Sequence, residues 1–140
     1  MTVEIRTFTL TDTDAVVALW QETGLTRPWN NPHQDISRKL RVQPELFLVA
    51  ADGDEIVGSV MAGYDGHRGW LYYLGSSPSR RGEGIARRLV ERAEELLIEL
   101  GCPKVQLMVR PENNVAKGFY DAIGYETFET WATGKRLIAD

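Results

Sequence analysis

The chain has 140 residues, a net charge of −4 and a single cysteine, Cys102. At that length one domain with a sizeable core is expected. The acidic balance excludes a general nucleic-acid binder, one thiol excludes a disulfide-stapled scaffold, and no apolar run reaches membrane length. His33 and His67 stand alone, so no metal-ligand spacing is present. The opening Met1-Thr2-Val3-Glu4-Ile5-Arg6 has no signal-peptide pattern, and the expected location is the cytoplasm.

In chain order, residues 3–10 alternate and predict an edge strand. Thr11 or Asp12 caps a helix with Val16, Leu19 and Trp20 on its apolar face, ended by Gly24. Residues 25–32 hold two prolines and two asparagines and predict a loop that carries Arg27, Trp29 and Asn30. Trp29 stands beside Arg27 in a loop, and burial of its ring in the core is the plainer reading. A short helix over 35–43 stops at Pro44. Residues 46–51, 56–64 and 70–76 predict three successive antiparallel strands, with turns at 52–55 and 65–69. Ile85, Leu89, Val90, Ala93, Leu96, Leu97 and Leu100 then recur three and four apart, one face of a long helix. Residues 104–110 alternate as a strand, and a helix over 115–123 ends at Gly124. Residues 125–131 and 135–138 are expected to close as a short hairpin.

The turn between the third of those strands and the long helix reads Ser79-Arg80-Arg81-Gly82-Glu83-Gly84-Ile85-Ala86. The first N–H groups of a helix have no intrahelical partner, and the helix dipole makes that end positive. Glycine lets main chain and ligand approach closely, and Arg80, Arg81, Arg87 and Arg88 add charge. The pattern points to an anion, in particular a phosphate; a solvated basic loop is the plainer reading. A P-loop would need Gly-Lys-Ser/Thr, which is absent. A dinucleotide fingerprint would need a glycine where Arg87 stands.

Arg81-x-x-Gly84-x-Ala86 resembles the phosphate-turn signature of the GNAT superfamily of acyl-CoA-dependent N-acetyltransferases. Asn113-x-x-Ala116-x-x-Phe119-Tyr120-x-x-x-Gly124-Tyr125 is similar to the second block of that family. The two in this order, in a chain of this length, make the resemblance specific. Segments such as Arg27-Pro28-Trp29-Asn30 and Gly101-Cys102-Pro103-Lys104 look like the bacterial YpeA-type acetyltransferases. The resemblance implies an α/β fold with one mixed, mostly antiparallel sheet, splayed between its fourth and fifth strands, and helices on both faces. A single acetyltransferase domain over residues 1–140 is expected.

The resemblance further implies acetyl-CoA as co-substrate, without a metal, and an amine as acceptor. The main chain of Leu74, Gly75 and Ser76 would bond the pantetheine arm. Arg81, Gly82, Glu83, Gly84, Ile85 and Ala86 would receive the pyrophosphate. Asn113 would bond the cofactor or cap its own helix. Tyr120 would be the general acid at the departing sulfur, and its alternative is plain ring packing. Arg27, Trp29, Asn30, Tyr64, Asp65, Tyr72 and Tyr73 are candidates for the acceptor side. Direct attack in a ternary complex is expected, since no nucleophilic serine or cysteine is apparent.

The strand 70–76 lacks the carboxylate many relatives use as base. Asp65, His67, Tyr72, Tyr73 and a water chain stay open for that role. A non-catalytic acyl-CoA-binding module is the competing reading. Phe128 and Trp131 leave both a monomer and a homodimer open.

Overall fold

Phe47 to Ala51 is apolar at every position and buried throughout, the pattern of a strand covered on both faces. That strand lies inside a five-stranded sheet. A computed structural model describes residues 2–140; Met1 lies outside the described residues. The chain forms two compact units, one running to Gln106 and including Asp140, the other Leu107–Ala139.

The first unit runs β1 (Glu4–Thr7), α1 (Thr13–Glu22), α2 (Pro32–Lys39), β2 (Phe47–Asp52), β3 (Glu55–Tyr64), β4 (Gly69–Ser76), α3 (Ile85–Glu99) and β5 (Val105–Gln106). The sheet order is β1-β2-β3-β4-β5. The first four strands pair antiparallel and β5 lies parallel to β4. The β4–β5 ladder holds only Gly69–Val105 and Trp70–Gln106, so residues 71–76 of β4 have no strand partner on that side among the described residues.

Successive strand residues face opposite ways, and Gly58 and Ser59 on β3 show the consequence. A Cβ on Gly58 would lie 2.8 Å from Ile85 Cγ2 and 2.9 Å from Leu89 Cδ1, so α3 sits directly on that face. Ser59 instead receives the indole N–H of Trp20 from α1. On the α1 side Phe8, Val16, Val17, Trp20, Ile36, Phe47, Val49 and Met61 form one cluster. Helix α3 buries Ile85, Leu89, Val90, Ala93 and Leu97, five of the positions its periodicity marks.

Helix α2 begins at Pro32, three residues before the expected start. The Asn31 side chain accepts from the N–H groups of His33 and Gln34, and Pro32 takes the first helical position. It also ends early, at Lys39. Gln43 adopts a left-handed φ of +52, and its side-chain amide bonds both the N–H and the C=O of Tyr64.

In the second unit, α4 (Asn114–Ala122) is capped by Asn113, whose side chain accepts from the Ala116 N–H at 3.0 Å. The strand expected over 104–110 shrinks to two residues in the first unit. The hairpin expected over 125–138 does not form; no strand lies there. Trp131 and Leu137 stand 85% and 86% exposed, and an isolated two-stranded ribbon that buries so little is at best marginal.

Candidate active site

The turn ahead of α3 owes its form to two glycines. Gly82 and Gly84 adopt φ of +84 and +74, the left-handed region an L side chain resists. A Cβ at either would meet nothing within 4 Å, so the space beside them is open. Gly84 is the N-cap of a fifteen-residue helix. It brings no side-chain acceptor, which leaves the first-turn amides to a ligand or to water.

The four arginines around the turn divide sharply. Arg80 is only 10% exposed in its side chain and bonds Glu83 at 2.8 Å and Asp52 at 3.1 Å. Its guanidinium pins the turn to the β2–β3 hairpin, and the Glu83 carboxyl is held below its usual range by the same bond. Arg87 pairs with Glu91 at 2.9 Å along the helix. Arg88 bonds the Val3 carbonyl at 2.8 Å. The Arg81 side chain alone has no hydrogen-bond or ion-pair partner among the described residues, and it is exposed. Ile85 is 3% exposed and packs in the core, leaving only its backbone for a ligand.

Strand β4 carries an irregularity that its sequence hides. Ser59 pairs with Gly75 and Met61 with Tyr72, so Val60 alone spans Tyr73 and Leu74. This is a β-bulge. Tyr73 sits there at φ +53, a conformation that costs roughly 1–3 kcal/mol outside glycine. The Tyr73 ring stacks on Trp20 with centroids 3.8 Å apart. Its hydroxyl donates to Asp35 Oδ2 at 2.6 Å, and burial together with that anion pushes the phenol far above its ordinary range. Its carbonyl accepts from Ser59 Oγ at 2.8 Å. Leu74, Gly75 and Ser76 follow, half-buried.

The acceptor-side candidates also separate. Tyr73 is committed to α1 and α2, whereas Tyr72 is 47% exposed, with its phenol raised by burial and by Asp65. Both oxygens of Asp65 are occupied: Oδ1 accepts from the N–H groups of His67 and Arg68 at 2.8 Å each, and Oδ2 from the Trp70 indole at 3.3 Å. These donors hold its carboxyl below the usual range, which suits a turn and not a base. Arg27 bonds the Gly24 carbonyl at 2.9 Å. Trp29 is 54% exposed, outside the core, and Asn30 beside it is half-buried. Tyr64 directs its hydroxyl to the Gly66 carbonyl at 3.3 Å.

Three residues in this region escape sequence reasoning: Ser59, Asp35 and Trp20. Each meets β4 from another element, and only the pairing of distant segments exposes them.

In the second unit Tyr120 is half-buried. Its ring meets Phe119 edge-on at 5.1 Å and Tyr125 at 5.3 Å. Burial pushes its phenol up to about 12, so it holds its proton throughout the neutral range. Its carbonyl accepts from the Tyr125 N–H at 3.0 Å, just past Gly124 at φ +94. Asn113 spends its side-chain oxygen on the α4 cap.

Two left-handed glycines at a helix start and one unpaired arginine beside them offer a place for an anion such as a phosphate. The chain matches the Acetyltransferase (GNAT) family model over residues 12–125. It is 55% identical over 137 residues to an acetyltransferase of Pectobacterium atrosepticum, covering 98% of this chain and 97% of that protein. The PaiA N-acetyltransferase of Thermoplasma acidophilum, solved in complex with coenzyme A, shares the fold at TM-score 0.82 and 21% identity, with 93% of each chain covered. AAC(6')-Iy, solved with the bisubstrate analogue CoA-S-monomethyl-acetylneamine, does so at TM-score 0.81 and 18% identity, covering 99% of this chain and 100% of that one. The chain belongs to the GNAT family of acetyltransferases. It is an N-acetyltransferase with acetyl-CoA as co-substrate. Among the described residues no helix is long and apolar enough to cross a membrane, and no group of His, Cys, Asp and Glu could hold a metal ion.

Proposed function

We propose that residues 1–140 act as one domain that moves the acetyl group of acetyl-CoA to a primary amine by direct attack. The family match supports the single domain, since 12–125 runs across both compact units. The observation that carries the reading is the turn at 81–86, with Gly82 and Gly84 left-handed, open space beside both, and Arg81 unpaired.

The residues fit the co-substrate. Arg81 and the amides of Gly82, Glu83, Gly84, Ile85 and Ala86 would hold the pyrophosphate. The main chain of Leu74, Gly75 and Ser76 would bond the peptide-like pantetheine arm as a strand would. Acetyl-CoA supplies an activated thioester, and the chain supplies position and protons.

Tyr120 is the proton donor in this reading. A full transfer from a phenol near 12 to a free thiolate near 8.5 is uphill by about 5 kcal/mol. Tyr120 therefore works first as a hydrogen-bond donor to the sulfur as charge develops there, and completes the transfer late. Asn113 orders the start of α4, from which Tyr120 is presented.

No enzyme base is required. Asp65 has both oxygens occupied, and Tyr73 holds its proton against Asp35. The amine loses one proton to solvent and attacks as the neutral form. The nitrogen sheds a second as the C–S bond breaks, and the Tyr120 phenolate takes a proton back through solvent. Tyr72, Trp29, Asn30, Arg27 and Tyr64 are the residues we assign to the acceptor side.

The test is thiol release from acetyl-CoA across peptides with varied N-termini, lysine-containing peptides, polyamines, amino acids and aminoglycosides. Turnover with one class, and mass spectrometry showing one acetyl per thiol released, is the expected result. Binding of acetyl-CoA without turnover on any of them would favour a non-catalytic acyl-CoA binder.

A further inference from the structure

Ser59 is fully buried, as is Trp20. A hydroxyl at such a position is useful only if both its donor and acceptor capacity are spent. Here they are: Ser59 Oγ accepts from Trp20 Nε1 at 2.9 Å and donates to the Tyr73 carbonyl at 2.8 Å. The acceptor is the main chain of the one non-glycine residue within a strand that has positive φ among the described residues. The indole that holds the hydroxyl also stacks on the Tyr73 ring at 3.8 Å, and Asp35 holds the Tyr73 hydroxyl at 2.6 Å. Ring, hydroxyl and carbonyl of one strained residue are thus each tied down.

The bulge has a consequence for the residues that follow. One extra residue in a strand reverses the face and the hydrogen-bonding side of everything beyond it. Without the bulge, Leu74, Gly75 and Ser76 would turn the opposite edge outward. We propose that Ser59 is a positioning residue for acetyl transfer. Through the Tyr73 carbonyl it fixes the bulge that aims the main chain of 74–76 at the acyl carrier. This rests on the assignment of 74–76 as the pantetheine edge.

The test compares wild type with Ser59→Ala, Ser59→Cys and a control, Val16→Ala, which opens a cavity in the cluster that Tyr73 packs against but removes none of the hydrogen bonds made by Ser59 and Tyr73. Two quantities are read on each: the amide resonances of Tyr73 to Ser76 in the free protein, and kcat alongside the acetyl-CoA Kd. In Ser59→Ala the resonances of 73–76 shift and kcat falls about 10- to 100-fold, the scale of a misplaced reacting group. Val16→Ala loses melting temperature yet keeps kcat within about twofold. Ser59→Cys, a near-isostere with a weaker donor, falls between the two and serves as the reporter if Ser59→Ala does not fold.

Unchanged resonances at 73–76 would overturn the hold of Ser59 on the bulge. Shifted resonances with kcat and Kd both unchanged would overturn the proposal at its other joint, the assignment of 74–76 as the carrier edge. A Val16→Ala loss of kcat equal to that of Ser59→Ala would reduce Ser59 to ordinary core stability.

Discussion

Replacing Gly84 by alanine separates the phosphate turn from the fold that carries it. Gly84 lies at φ +74, and a Cβ there meets no atom within 4 Å. The free protein thus suffers only the cost of an L side chain in the left-handed region, about 1–2 kcal/mol. For a domain of this size that lowers the melting temperature by roughly 3–8 °C. The added methyl occupies the open space at the start of α3, where the phosphate and the first-turn amides must come close. Kd for coenzyme A rises about tenfold or more, equivalent to about 1.4 kcal/mol. Gly58→Ala is the contrasting variant, because its Cβ would stand 2.8 Å from Ile85 Cγ2, 2.9 Å from Leu89 Cδ1 and 3.2 Å from the Gly75 carbonyl. It costs stability by overpacking, about 1–3 kcal/mol. Calorimetric titration with coenzyme A and thermal melting give both quantities. A Gly84→Ala protein with the expected melting loss and a Kd within about twofold of wild type would refute the assignment of the turn.

Further outcomes follow from the same geometry. Arg81→Ala weakens coenzyme A binding about three- to tenfold, less at high salt, with an unchanged melting temperature; Arg80→Ala lowers the melting temperature because it severs the link between Asp52 and Glu83. Asp12 accepts from both guanidinium nitrogens of Arg6, at 2.7 and 2.9 Å, and from the Thr9 N–H. The Arg6 hydrogen bond and the Thr9 amide hold its carboxyl below the ordinary value, so its contribution is present above that value and is lost as pH falls through the depressed folded one. Asp12→Asn therefore costs about 1–2 kcal/mol at pH 7, and chemical denaturation should find the gap closing on acidification below the ordinary carboxylate range. With solvent as proton acceptor, kcat/KM rises with pH toward the amine's own pKa; a break near pH 6.5 that survives a change of amine would indicate a histidine base instead.

The legible parts of this chain are those in which function is written into local backbone. Gly82 and Gly84 announce a left-handed turn, and the three-and-four spacing of Ile85, Leu89, Val90, Ala93 and Leu97 fixes the helix behind it. The role of Arg80 was not legible, because Asp52 reaches it from another hairpin. Nor was the bulge: Tyr72 and Tyr73 alternate as any strand would, and the Ser59 and Trp20 that hold the irregularity stand 14 and 53 residues away by numbering. Asp35 was read only as the start of a helix, although its carboxylate accepts the Tyr73 hydroxyl from β4. The aromatic and threonine-rich end of the chain suggested a hairpin, but such composition describes only what a strand would tolerate. A strand exists where a partner pairs with it, and Trp131 and Leu137 stay exposed.

The most direct measurement is the turnover of Tyr120→Phe beside its acetyl-CoA affinity. The substitution removes one hydroxyl from a half-buried ring and leaves its contacts with Phe119 and Tyr125 in place. With Tyr120 donating to the departing sulfur, kcat falls about 100-fold, the lower end of general-acid catalysis for so weak an acid, while Kd stays within about twofold. An equal loss in kcat and affinity, or no loss in either, would contradict the account.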